Sequence, residues 1–141
     1  MSKKSKLEWL DRGLMTSAYH YALALSEKDF HSELRRLKVP KRSWPDFQKT
    51  SRSHATTNYF EKTGECGQCA IVTMSPHKKS RHDILQVYAI LVHEAVHIWQ
   101  AHRDSIGETH PGAEQEAYAV QRIAQSLMFS YNEQTKRRKK K

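Results

Sequence analysis

Three residues in "LVHEAVHIWQ", Leu91 to Gln100, have the types and spacing for metal chemistry: His93, Glu94 and His97. On an α-helix, residues four apart lie on one face about one turn apart, so both imidazoles can bind one ion. Glu94 is one step round the helix. It stands aside from the two nitrogen ligands but can reach a water on the ion, which is where a general base is needed. The alternative is an ordinary helix whose polar side carries two histidines. The neighbours favour a site. Ile84, Val87, Leu91, Ala95 and Ile98 form an apolar face, widened by Tyr88, Val92, Val96 and Trp99. The histidines fall on the remaining stripe with Gln86, Ile90, Gln100 and Asp104, where apolar character thins out.

Catalytic zinc takes three protein ligands and keeps one position open. In "GAEQEAYAVQRIAQSLM", Glu116 lies beside Ala113, Val120 and Ile123 on a helix surface, whereas Glu114 turns the other way. A carboxylate among apolar neighbours needs a partner, because burying an unpaired charge is costly. Zinc is one candidate for that partner. A salt bridge to Arg122 or Lys38 is the other. His110, in the loop before Pro111, is the rival third ligand, while His102 points about 140° away from His97. Cys66 and Cys69 in "GECGQCA" offer half a structural zinc site, a redox pair, or two thiols near a hairpin turn with Cys69 opening a strand. With no second cysteine pair and a turn leading into a strand, the third reading is preferred.

The elements that must position these residues follow from periodicity and punctuation. "YHYALAL" reads as a strand with Tyr21, Leu23 and Leu25 on one face. Ser26 is a candidate N-cap for a helix over 26–39, with Phe30, Leu34 and Leu37 on one stripe and Pro40 as its stop. A loop anchored by Trp44 and Phe47 follows. "ATTNYFEK" and "CAIVTM" read as strands joined by the turn "KTGECGQ". The edge of "CAIVTM" is a place where an extended peptide can add a strand. Asp83 is the candidate N-cap of a long helix reaching about Arg103, and a last helix spans 112–131. The expected class is α+β: a small antiparallel sheet packed against three helices, one of them carrying the HExxH motif.

The spacing of His93, His97 and Glu116, with 18 residues between the last two, resembles the pattern of gluzincin metallopeptidases. More closely, "LVHEAVHIWQ" followed by "PGAEQEAYAVQRIAQSLM" is similar to small phage and prophage proteins classed as zinc metallopeptidases. That likeness extends to "WLDRGL" and "LSEKDFHSELRRLKVP". The resemblance implies a minimal zincin-like fold, a Zn2+ ion on His93, His97 and Glu116, Glu94 as catalytic base, a peptide or protein substrate, and work in the cytoplasm of the host cell. The implied chemistry is hydrolysis: zinc lowers the pKa of its water to about 7, Glu94 takes the proton, and a polarised carbonyl is attacked. Tyr131, His110 and Arg103 are candidate donors to the oxyanion, and Tyr118 faces away from the ligand stripe.

Charge and composition bound the alternatives. The 141 residues fit a single domain over 7–131, with a basic N-terminal tail at 1–6 and a basic C-terminal tail at 132–141. The formal charge is +9. Lys3, Lys4 and Lys6 together with "KRRKKK" at 136–141 account for all of it, which leaves the body neutral. Such tails make at most weak, non-specific contact with nucleic acid, and a neutral body argues against a dedicated DNA reader. No apolar run approaches the ~20 residues of a membrane span, and the start has no apolar segment of a secretory signal. The cytoplasm is the expected location. The second functional reading is a non-catalytic, zinc-stabilised binding protein that contacts a host protein or nucleic acid.

Overall fold

The computed structural model describes residues 4–10, 19–49, 54–61, 67–76 and 83–140. Chain order is β1 (His20–Ala24), α1 (Glu27–Arg36), a short 3-10 turn at Lys41–Ser43, β2 (Ala55–Phe60), β3 (Cys69–Met74), α2 (Ile84–Ser105) and α3 (Ala113–Lys139). The class is α+β, with a three-stranded sheet and three helices. Among the described residues no helix is long and apolar enough to cross a membrane.

The sheet order is β1-β3-β2. β2 and β3 form the expected antiparallel pair, with Thr57 opposite Val72 and Tyr59 opposite Ala70. β1 departs from expectation: it runs parallel to β3, from His20 opposite Cys69 to Ala24 opposite Thr73. The sheet is therefore mixed. Alternation of apolar residues fixes which face a side chain takes but carries no information on strand direction. β3 is central and buried at all six positions, so its edges are already paired and cannot accept a peptide. The edge open to addition is that of β2, where no strand pairs with the outer side among the described residues.

Alternation gives the sheet two apolar faces. Tyr21, Leu23, Leu25, Ala70, Val72 and Met74 pack against Val87, Leu91, Ala95 and Ile98 of α2 and Ile123, Ala124, Leu127 and Tyr131 of α3. Ala22, Ala24, Cys69 and Ile71 pack against Phe30 and Leu34 of α1 and its C-cap Leu37, with Trp44 and Phe47 at the margin. At about 1.5–3 kcal/mol per fully buried Val, Leu, Ile or Phe, these faces drive the assembly. α2 packs against β2, and α3 packs against β1.

Local signals set the helix ends. Ser26 Oγ accepts from Asp29 N at the start of α1, and Asp83 accepts from Gln86 N at the start of α2. α1 stops before Pro40, in a Schellman turn: Val39 N donates to Leu34 O, Lys38 N to Arg35 O, and Lys38 takes φ 58°. α2 ends in the same way at Gly107, φ 71°, where no side chain has to be fitted. α3 continues well past Tyr131, to Lys139. Its last turns contain no Gly or Pro, and their cations face the negative end of the helix dipole.

Candidate metal centre

α2 brings His93 and His97 together as their spacing requires. Their Nε2 atoms are 3.0 Å apart, and the rings meet edge-on with centroids 4.6 Å apart. Both side chains are exposed. His97 Nδ1 lies 3.3 Å from Gln100 Oε1. An N–H donated there leaves the Nε2 lone pair free to coordinate. Two neutral imidazoles cannot point Nε2 lone pairs at each other across 3.0 Å without repulsion, so a proton or a cation belongs between them. Two nitrogens on one tetrahedral zinc at ~2.0–2.1 Å stand about 3.3 Å apart, so the pair fits such an ion with little movement.

Glu94 turns towards the sheet. Only 5% of it is exposed. Its Oε2 accepts a hydrogen bond from Thr57 Oγ1 on β2. Oε1 receives no hydrogen bond among the described residues. Thr57 is placed by strand alternation: Ala55, Thr57 and Tyr59 share the face that meets α2. His93, Glu94 and His97 line one cleft of about 330 Å³ with Lys49, Ala55, Thr56, Thr57 and Tyr59. Lys49, Thr57 and Tyr59 also line a second hollow, of about 620 Å³, with Pro40, Pro45 and Phe60. The two hollows therefore meet across β2.

Tyr59 belongs to this site although the sequence did not single it out. Its hydroxyl is pushed up to about 12, by burial first, then by the Glu94 charge and by Tyr19. It stays a neutral hydrogen-bond donor across the physiological range. The available signal was β2's alternation, which put Thr57 and Tyr59 on one face without naming what that face meets.

Glu116 is placed elsewhere. Its Oε2 accepts from the Trp99 indole Nε1 at 2.7 Å, and Arg103 Nη1 stands 4.0 Å away. Trp99 and Arg103 lie well round α2 from His97, so the third proposed ligand is not beside the first two. The salt-bridge reading of this carboxylate is the closer one, with Arg103 rather than Arg122 or Lys38 as the cation. Among the described residues no three His, Cys, Asp or Glu side chains gather as a metal-binding group. His110 is exposed at the α2–α3 loop, its Nδ1 2.9 Å from Thr109 Oγ1. His102 stacks on Trp99 at 5.6 Å, and burial lowers its pKa. Cys69 is buried at the start of β3, and Cys66 lies outside the described residues. Of the candidate oxyanion donors, Tyr131 is buried in the core, and Arg103 is engaged by Asp104 and Glu116.

Comparison of the chain with protein-family models, curated proteins and solved structures returned no match. The functional reading therefore rests on the residues themselves.

Proposed function

We propose that this protein is a zinc-dependent hydrolase acting on a peptide bond, with His93 and His97 as metal ligands and Glu94 as general base. The observation that carries the reading is the cleft itself. A buried carboxylate with one oxygen uncommitted among the described residues shares it with two imidazoles whose Nε2 atoms are 3.0 Å apart. Zinc bound by this pair would supply Lewis-acid activation of water and of a carbonyl oxygen. Thr57 would hold Glu94 in orientation through Oε2 and leave Oε1 to take a proton. Tyr59, a neutral donor, would offer its hydroxyl to the oxygen on which charge develops. The edge of β2, unpaired among the described residues and with a hollow on either side, suits an extended peptide better than a compact ligand.

The resemblance to small phage metallopeptidases agrees with this reading and supplies Glu116 as third ligand and the host cytoplasm as the setting. For Glu116 to serve, its carboxylate must leave Trp99 and Arg103. The second reading, a zinc-stabilised binding protein without catalysis, needs that ligand as well, since a structural zinc is closed by protein donors.

The test is zinc content of purified, tag-free protein by elemental analysis, beside His97→Ala and Glu116→Ala. About one zinc per chain, lost in His97→Ala, is the expected result. Loss in Glu116→Ala as well makes it the third ligand, whereas retention leaves it with Trp99 and Arg103. A wild type that takes up no zinc after remetallation overturns the proposal. If zinc is confirmed, screening peptide libraries against Glu94→Gln separates the hydrolase from the binding protein.

A further inference from the structure

α2 and α3 lie side by side on one face of the sheet and run antiparallel. Near the start of α2, Asn132 Nδ2 donates to the Tyr88 hydroxyl at 2.9 Å; near its end, Trp99 Nε1 donates to Glu116 Oε2 at 2.7 Å. The inward sides of both helices are in the core. Their outward sides are apolar as well. Leu85 is 74% exposed, Val92 38%, Tyr118 66% and Phe129 57%. At about 100° per residue, Leu85, Ala89, Val92 and Val96 fall within roughly 60° of one another, on the side of α2 away from Val87, Leu91 and Ile98. Their spacing of four, three and four is that of a helix-packing seam. On α3, Tyr118, Gln125 and Phe129 fall within about 40°, opposite Ile123, Leu127 and Tyr131.

The middle of this face lacks charge, although 28% of the chain is charged. Glu94 is the sole charged residue of α2 before Arg103, and it is buried. From Ala117 to Asn132, α3 carries only Arg122. Contiguous exposed apolar surface, depleted of charge at its centre, marks the core of a protein interface.

The two ends of the face carry opposite charge. Residues 103–116 hold Asp104, Glu108, Glu114 and Glu116 against Arg103, a net −3. At the other end, residues 133–140 hold five cations against Glu133, a net +4, which Asp83 at the start of α2 lowers to +3. Of these cations Arg138 is turned away to α1, its Nη2 3.5 Å from Asp29 Oδ2, and Lys136 pairs with Glu133. Glu114 and Lys140 are exposed and form no ion pair among the described residues. They stand at opposite ends of the outward side of α3, about 39 Å apart.

We propose that the outward face of α2 and α3 binds a second copy of this chain, with α2 antiparallel on its counterpart. A twofold axis lying across the helices brings each acidic end onto a basic end and Leu85 and Val92 onto the same stripe of the partner. An axis along the helices would set like ends together. Two helices about 10 Å apart and 39 Å long present roughly 800 Å², the share each partner gives to a standard interface. An interfacial membrane helix needs cations flanking its apolar stripe, whereas one end of this face is acidic. The His93 cleft opens towards β2, on the flank of α2, and the dimer stands independently of the hydrolase reading.

The experiment is analytical ultracentrifugation of the full chain between about 5 and 200 µM, at low and high salt. The mass should rise with concentration from 16.5 kDa to twice that value, less readily at high salt because the paired ends are exposed. Leu85→Glu with Phe129→Glu, both at exposed positions, should weaken the dimer at least about tenfold. At low salt Glu114→Lys should weaken it, and so should Lys136→Glu with Lys140→Glu. All three charge reversals together should restore it, because each end then meets its opposite again. Circular dichroism of each variant verifies that the helices persist. A monomer throughout the range overturns the proposal, whether or not it binds phosphatidylserine vesicles. So does a Leu85→Glu, Phe129→Glu variant that dimerises like wild type, since the contact is then on another face. A combined charge reversal no better than its parts overturns the antiparallel arrangement and the proposal with it.

Discussion

Two buried glutamates, Glu33 on α1 and Glu94 on α2, have opposite hydrogen-bond inventories. Glu33 is 1% exposed and both its oxygens are taken. Oε2 accepts from Ser5, and Oε1 accepts from Trp9 Nε1 at 3.2 Å and Arg36 Nε at 2.7 Å. Glu94 is buried nearly as deeply, yet among the described residues only Oε2 is engaged, by Thr57, and the residue borders a cleft shared with two imidazoles. A saturated carboxylate is a clasp: here it holds the N-terminal segment onto α1. A carboxylate that keeps an oxygen uncommitted bears the cost of burial without full compensation, and such residues belong to chemistry.

The sharpest way to break the comparison is to remove each negative charge while keeping the shape. On the proposed function, Glu94→Gln should lower hydrolysis by about 10²–10⁴-fold, the usual span for a general base. Its unfolding free energy should stay within about 1 kcal/mol of wild type, since the amide can still accept from Thr57. Glu33→Gln should do the reverse. It separates a buried carboxylate from Arg36, itself only partly exposed, and costs about 3 kcal/mol in denaturant unfolding. Zinc content and hydrolysis should be unchanged. If Glu33→Gln abolished activity, or Glu94→Gln unfolded the protein, the division between clasp and reactive group would fail.

Periodicity made the faces of this fold legible but left their partners open. The α2 stripe, the capping residues Ser26 and Asp83 and the buried sides of β1 and α1 could all be read from residue type and spacing. So could the meeting of His93 and His97, because it happens within one helix. Glu116 was different: its spacing put it towards a neighbour without saying which one. That depended on how α3 crosses α2, and there a buried indole N–H needed an acceptor. The same limit hid the parallel pairing of β1, the approach of Thr57 and Tyr59 to Glu94, and the docking of both charged ends on α1. Composition also misled at the C-terminus, where the segment read as a tail from 132 continues the helix to Lys139 for about two turns rich in good helix formers.

A smaller effect is expected from Thr57→Val, which keeps the shape of the side chain and removes its donor. Glu94 then has no hydroxyl to orient it, and a hydrogen bond to a charged group is lost, worth about 1.5–3 kcal/mol at most and less if water replaces it. On the proposed function, hydrolysis should drop about tenfold with the zinc content intact, and Thr57→Ser should restore it. Rescue by serine distinguishes a lost hydroxyl from a general loss of packing.

The finest probe of the same cleft is the ionisation of Tyr59 in metal-free protein. Burial is the largest cause of its rise to about 12, and the Glu94 charge is the second. The folded state therefore holds this proton more tightly than the unfolded chain, whose phenol titrates near 10. Stability linked to it is complete below pH 10 and is lost as pH rises through about 12. Ultraviolet titration of wild type minus Tyr59→Phe should reveal one phenol ionising about two units above the ordinary value. Glu94→Gln should move that ionisation down only part of the way, because burial remains when the charge is gone. A full return to 10 would make Glu94 the main cause. No movement at all would mean that the phenol and the carboxylate do not share the cleft.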